Sequence, residues 1–309
     1  MMNQIKPIKK QSKIYKSSNF RDYRKLQEQT HHKLKKSNNL FDSILTIELN
    51  LTELCNRKCV FCPRINPKVY PNRNLMMDIK LCQKLSIELK ELNYKGRISF
   101  SGFGEPLLNK NFIEYIKVFS NSIPSSFIET NTNGDKLTST LINNLYQAGL
   151  NGLYVNLYDG KEQIKKFEKL FFETMVPESF WKLRPHWLGS EKDFGLILNN
   201  RSGMLINGDE NYLPLKKAIN SPCYYPFYKL FIDWNGDVLG CSNDWGRNLI
   251  FGNVYKENIS KIWVNNKFTQ LRKKLFHGNR DKTPCKSCNI DGKITGVKSV
   301  EILKSTFLN

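Results

Sequence analysis

The chain has little histidine, four residues in 309, and no apolar run near the roughly 18 residues that a membrane-spanning helix needs. The first shortage leaves few ligands for a zinc finger, and the second excludes a helical membrane span. The Lys-rich stretch from Lys6 to Lys36 lacks the apolar segment and small-residue cleavage site of a secretory signal, so a cytoplasmic location is expected. Acidic residues are few beside basic ones, 28 against 48, which gives a formal charge of +20. Such a charge suits phosphate neutralisation, yet the excess is spread along the whole chain among many Asn and Ile residues. It is read as compositional drift, and no nucleic-acid partner is expected. With 40% apolar and 25% charged residues the balance is that of a soluble globular protein, long enough for two domains.

Cysteine is not scarce. Eight are present, and because cytoplasmic thiols stay reduced, a disulfide framework is not expected and metal ligation is. Cys82 stands apart, on one helical stripe with Ile79, Leu85 and Leu89, and is read as a buried core thiol. Trp234 and Trp263 are read as core anchors. His186, within Arg184-Pro185-His186-Trp187, is read as a surface or hydrogen-bonded structural residue.

Residues 1–43, which include His31 and His32, form a charged extension, and ordered structure is expected from the strand-like run Ile44 to Asn50. Further strands are expected at Arg97 to Ser101, Phe127 to Asn131, Leu153 to Leu157 and Phe194 to Leu198. Between them Met77 to Leu92, Leu137 to Ala148 and Glu162 to Phe172 carry helical spacing. Repeated strand–helix units imply right-handed crossovers and a parallel sheet with its chemistry at the C-terminal strand ends. After about Leu215 the pattern changes to a hairpin around Asp233-Trp234-Asn235-Gly236-Asp237 and a helical stretch from Ile259 to Leu275. A small second domain organised by its cysteines, 216–309, is expected after a main domain of 44–215.

Cys55, Cys59 and Cys62 follow directly on the first strand. Three close thiols hold three corners of a four-iron cluster and leave one iron open to a small molecule, whereas structural zinc needs four protein ligands. No histidine stands at finger spacing from them. Ser101-Gly102-Phe103-Gly104-Glu105-Pro106 follows the second expected strand, where glycines admit close backbone approach and Glu105 offers a carboxylate to an ammonium. Thr130-Asn131-Thr132-Asn133-Gly134 ends the third strand, and Val155-Asn156-Leu157 lies in the fourth.

Cys55-Asn56-Arg57-Lys58-Cys59-Val60-Phe61-Cys62 resembles the C-x-x-x-C-x-aromatic-C signature of the radical S-adenosylmethionine enzymes, and the resemblance extends over roughly residues 44–205. It implies a partial (β/α) barrel of parallel strands. It also implies a [4Fe-4S] cluster on the three cysteines, chelated at its open iron by the amine and carboxylate of S-adenosylmethionine. The reduced cluster breaks the sulfonium's adenosyl bond, and the 5′-deoxyadenosyl radical takes a substrate hydrogen. On this resemblance Phe61 lies near the adenine, and Gly102, Gly104 and Glu105 hold the methionine amino group. Thr132, Asn133 and Asn156 then contact the ribose or carboxylate. Phe103 departs from the family's Gly-Gly-Glu-Pro motif by standing between its glycines.

Cys223, Cys241, Cys285 and Cys288, with the Asp-Trp-Asn-Gly-Asp hairpin, Phe251-Gly252-Asn253-Val254, Trp263 and Arg272, resemble the C-terminal auxiliary-cluster domains SPASM and twitch. Four cysteines imply the short form, with one fully ligated [4Fe-4S] cluster; four thiolates alone would equally suit zinc. Gly96 to Leu108 and Leu198-Asn199-Asn200-Arg201-Ser202-Gly203 resemble the branch of the family that oxidises a secondary alcohol of an aminocyclitol, which implies that Arg201 positions the substrate. An electron donor such as a flavodoxin or ferredoxin is implied, with a small-molecule substrate. The alternatives are a peptide-modifying radical enzyme and a zinc-stabilised RNA-binding protein.

Overall fold

The computed structural model of the protein describes residues 39–68, 70–186, 199–205 and 213–308. The chain alternates strand and helix: β1 (Thr46–Leu49), α1 (Ile79–Glu91), β2 (Arg97–Phe100), α2 (Phe112–Ser122), β3 (Phe127–Thr132), α3 (Ser139–Gln147), β4 (Gly152–Leu157), α4 (Glu162–Phe172) and β5 (Trp181–Pro185). These strands pair in parallel in the order β5-β4-β3-β2-β1. The sheet then continues on the far side of β1 with β6 (Lys229–Ile232), parallel to it, and with β7 (Asp237–Leu239) and β8 (Ile250–Asn253), both antiparallel to their neighbours.

Alternation along the strands explains why the sheet has two unlike faces. Ile47, Leu49, Ile98, Phe100, Ile128, Leu153, Val155, Leu230 and Ile232 fall on one face and are buried in the main core. There they meet the helix stripes Leu81, Leu85 and Leu89 of α1, Tyr115, Ile116 and Phe119 of α2, and Ile164, Phe167 and Phe171 of α4. Each such side chain contributes on the order of 2 kcal/mol by leaving water. The other face carries Glu48, Ser99, Asn131, Asn156, Arg184 and Lys229, and it lines a cavity at the C-terminal strand ends. Side-chain caps start α1 and α3: Asp78 accepts from the Lys80 amide (2.9 Å) and Thr138 from the Leu141 amide (3.1 Å). Cys82 is fully buried in α1 with its thiol on the Met77 sulfur at 3.4 Å, in agreement with a structural reading.

The described elements differ from the expected ones in places. The strand expected at Phe194 to Leu198 lies outside the described residues, and the fifth parallel strand described is β5. The helical stretch from Ile259 to Leu275 is two helices, α6 (Ile259–Trp263) and α7 (Asn266–Phe276), because Asn265 breaks the first and caps the second by accepting from the Phe268 amide at 2.9 Å. The C-terminal part continues the main sheet: α5 (Tyr225–Tyr228) leads into β6, and Trp263, Phe268, Val300 and Phe307 share one core with Ile47. Described structure also begins ahead of Ile44, with Leu40–Ser43 forming a short turn whose Ser43 hydroxyl accepts from the buried Trp263 indole at 3.0 Å. Trp234 is only half-buried against that core. The last helix is α8 (Val297–Leu303). Among the described residues no helix is long and apolar enough to cross a membrane.

Candidate functional site

The loop beyond β1 carries Cys55, Cys59 and Cys62, and Arg57 between them fastens it to the ends of two other strands. The Arg57 guanidinium pairs with Asp135 (2.6 Å), beyond β3, and Asp159 (2.7 Å), beyond β4. Asn56 adds a bond to Asp135 (2.7 Å) and accepts one from Asn133 (2.8 Å). The Cys55 amide donates to Asn72 (2.9 Å) and that of Cys62 to the Cys59 carbonyl (3.0 Å). All three half-buried thiols line one cavity of about 380 Å³. Burial, with the neighbouring thiols adding to it, pushes Cys59 up to about 12. Burial also raises Cys62, while the charges of Arg201 and Arg64 pull it the other way. Metal loading must therefore displace protons. Among the described residues no group of three or more His, Cys, Asp or Glu closes on a single ion's position. Three thiols with no fourth side-chain ligand fit three corners of a four-iron cluster.

The glycine-containing loop after β2 forms the next wall. Gly102 has φ +131°, and a Cβ on Gly104 would lie 2.1 Å from the Thr52 carbonyl, so neither position admits a side chain without a backbone shift. Glu105 is buried behind them. One of its oxygens accepts from Thr132 (2.7 Å) and the Leu107 amide (3.1 Å), the other from the Asn133 amide (2.8 Å). Burial raises its pKa to about 7 against these bonds. Thr132 and Asn133 line the cavity as expected, but their donors serve mainly to hold Glu105 and the cysteine loop.

Phe61 lies 5.3 Å from the Tyr158 ring and 6.1 Å, stacked, from His186. His186 follows β5 directly and stands on the cavity wall, which corrects its reading as a surface residue and agrees with that as a hydrogen-bonded one. Its Nε2 meets the Asn156 side-chain oxygen at 2.9 Å, while Nδ1 is closed off from solvent with no hydrogen-bond partner among the described residues. Burial, with the nearby Arg184 and Arg201 charges, lowers its pKa to about 3, so it is neutral at physiological pH. Arg201 and Ser202 both adopt left-handed φ, 49° and 54°, a costly conformation for residues other than glycine. This turn sets Arg201 on the cavity wall with its Nε unpartnered among the described residues.

Cys223, Cys241, Cys285 and Cys288 line a second, smaller pocket with Leu249, Leu271 and Ile290. Burial and mutual repulsion raise Cys241 well above the ordinary thiol value, and burial takes Cys285 to about 12. A Cβ on Gly292 would come within 2.3 Å of the Cys223 sulfur, so this glycine leaves the space the thiol occupies. Four thiols and no histidine fit a fully ligated cluster or zinc.

Sequence reasoning had not singled out Glu48 and Lys229, which pair at 2.5 Å on the inner sheet face, with Ser101 donating to Glu48 at 2.6 Å. Burial alone would lower the Lys229 pKa, and the Glu48 charge and hydrogen bond raise it instead. A carboxylate in mid-strand was the available signal.

The profile of the Radical SAM superfamily matches residues 49–172, and that of SPASM, an iron-sulfur cluster-binding domain, matches residues 223–289. The S-adenosyl-L-methionine-dependent 2-deoxy-scyllo-inosamine dehydrogenase of Niallia circulans is 32% identical over 244 residues, which cover 79% of this chain and 92% of that protein. The crystal structure of BtrN in complex with AdoMet and 2-DOIA is similar with a TM-score of 0.70 and 30% identity, over 82% of this chain and 96% of that one. BtrN in an open conformation gives 0.59 and 27%, over 80% and 92%.

Proposed function

The chain belongs to the radical S-adenosylmethionine superfamily, and from that premise we propose that it oxidises a secondary alcohol of a small sugar- or aminocyclitol-like molecule to a ketone. One observation carries the reading. The cavity has the three thiols of the first group in one wall and, in another, Tyr225, Ser242, Asn243, Asn289 and Ile290, which flank the second thiol group in sequence or line its pocket. A small molecule held there lies between a place where hydrogen is removed and a place where an electron is taken up.

In this reading residues 1–43 are a basic extension, 44–215 hold the first cluster on Cys55, Cys59 and Cys62, and 216–309 hold the second on Cys223, Cys241, Cys285 and Cys288. When bound, the two clusters supply the electron that cleaves S-adenosylmethionine and accept the electron that the oxidised alcohol gives up. Phe61 flanks the adenine, Glu105 with Gly102 and Gly104 receives the methionine ammonium, and Asn156, with Thr132 and Asn133, faces the ribose or carboxylate. Arg201 donates to the substrate hydroxyl, since a guanidinium offers donors in a fixed fork and does not serve as a base. An acidic flavodoxin or ferredoxin suits a chain of formal charge +20 as reductant.

The test is anaerobic incubation of reconstituted protein with S-adenosylmethionine and dithionite, with 2-deoxy-scyllo-inosamine as the probe alcohol. 5′-Deoxyadenosine and a ketone are the expected products, from protein holding about four irons and four sulfides per cluster. Stoichiometric zinc, or no 5′-deoxyadenosine from fully loaded protein, overturns the reading.

Glu105 adds a pH dependence. Its folded value of about 7 lies above the ordinary 4.5. The carboxyl therefore favours the folded state most below the ordinary value, and that contribution is lost as pH rises through the folded one. Only the ionised form attracts an ammonium. Affinity for S-adenosylmethionine, measured by equilibrium dialysis, should fall about tenfold per pH unit below the folded value. Glu105→Gln should bind weakly at every pH, and a flat profile in the unaltered protein would remove the ammonium role.

A further inference from the structure

The loop beyond Cys241 reaches back to the first cysteine loop through Trp245, whose ring lies 4.9 Å from that of Tyr70, and through Arg247. Arg247 donates from Nε to Asp233 (2.5 Å) and from Nη2 to Glu53 (2.5 Å). Both carboxylates are almost wholly buried, at 0% and 1% exposure, so each needs a cation at hand. Glu53 stands two residues before Cys55, and Asp233 opens the hairpin between β6 and β7. The other oxygen of Asp233 accepts from the buried Asn50 amide group at 2.7 Å. The Asn50 oxygen in turn accepts from the backbone amides of Phe103 (2.9 Å) and Gly104 (3.1 Å).

The circuit closes through Arg64, two residues after Cys62, which donates to the Glu53 carbonyl at 2.6 Å and to the Phe103 carbonyl. Phe103, the residue that departs from the family's motif, plugs into the same place. Its ring lies 4.4 Å from Trp245, 4.7 Å from Phe231 and 5.2 Å from the Arg247 guanidinium. Arg247 itself has φ +54°, a cost that the three-sided engagement of its side chain offsets.

We propose that Arg247 is a positioning residue for S-adenosylmethionine binding: it clamps the C-terminal loop to Glu53 and Asp233 and, through Asn50, fixes the Phe103 and Gly104 amides beside Glu105. The site that receives the methionine amino group is therefore finished by the C-terminal region. This rests on the reading of Glu105 and its glycines given above. A guanidinium bridges two carboxylates in different directions, which a lysine ammonium on a flexible stem does poorly.

The first measurement uses metal-free full-length protein, in which neither cluster nor ligand takes part. In Arg247→Met, hydrogen exchange at the Phe103 and Gly104 amides should accelerate about tenfold, the loss of roughly one charge-assisted hydrogen bond's worth of local stability. After reconstitution, the same variant should keep the iron of both clusters while its affinity for S-adenosylmethionine, read by equilibrium dialysis, weakens about tenfold. The change that S-adenosylmethionine produces in the electron paramagnetic resonance spectrum of the reduced first cluster should shrink in parallel. Arg247→Lys should fall between the two. If Arg247→Met does not fold, Asp233→Asn breaks the circuit from its other end with no change of shape, and the same shifts are expected. Unaltered exchange and affinity in whichever variant folds, or normal affinity with iron lost, overturns the proposal. Exchange is read without metal, so its failure sinks this inference alone; a wild-type protein that forms no 5′-deoxyadenosine sinks the functional reading instead.

Discussion

Cys55→Ala, Cys59→Ala and Cys62→Ala are each expected to reduce 5′-deoxyadenosine formation to background. Each thiol stands in the wall of the same cavity, and the three supply three of the four corners of the proposed cluster, with no further cysteine in that wall among the described residues. A cluster that loses one of three corners has no means of keeping its remaining iron open for the amine and carboxylate of the cosubstrate. The fold should survive, because the loop is fastened by Arg57 to Asp135 and Asp159 rather than by the thiols. The melting temperature of metal-free protein should move by only a few degrees, consistent with about 1 kcal/mol for a half-buried side chain. Circular dichroism checks the fold and chromatography of the nucleoside checks the chemistry. Wild-type turnover in any of the three, with iron loading verified, would falsify the assignment of the first site.

Replacing Cys285 and Cys288 together by Ala should roughly halve the iron of reconstituted protein, since one of two clusters of about four irons is lost. Cleavage of S-adenosylmethionine should persist while oxidation of the probe alcohol fails. The separation of the two activities follows from how the C-terminal region is built. Cys285 begins a one-turn helix of its own and Cys288 ends it, whereas the loop that reaches the first site is held independently. There Asp244 accepts from Asn248 (2.8 Å) and the Leu249 amide (2.7 Å), and Arg247 remains on Glu53 and Asp233. Loss of both activities in folded protein would assign the second group a structural task. Zinc lost in place of iron would leave the oxidation without an electron acceptor.

The parts of this site that were legible in the sequence are those whose chemistry is compact along the chain. Cys55 to Cys62 and Gly102 to Pro106 each fit within one loop, and the strands before them alternate clearly enough to place both loops at one end of a sheet. Asn50 was not legible, because its partner Asp233 is 183 positions away and nothing local marks the pair. Phe103 read only as a departure from a motif; its packing on Trp245 and Arg247 supplies the physical reason for it. β5 was missed because Trp181-Lys182-Leu183-Arg184-Pro185 is short, carries the charges of Lys182 and Arg184 on the face opposite the core, and is ended by proline. With it went His186, whose place on the cavity wall depends on that strand. Arg201 lines the cavity, and the strand expected before it falls outside the described residues.

The order of the strands also sets a timetable. β1 lies between β2 and β6, and β6 is made almost two hundred residues after it. During synthesis the N-terminal strand and its thiol loop emerge long before the hairpin, so at that stage Asp233 and Arg247 cannot yet brace them. Contacts of such long sequence separation form late. A ribosome-bound fragment ending before Lys229 thus presents the three thiols on a loop that neither Asp233 nor Arg247 yet braces.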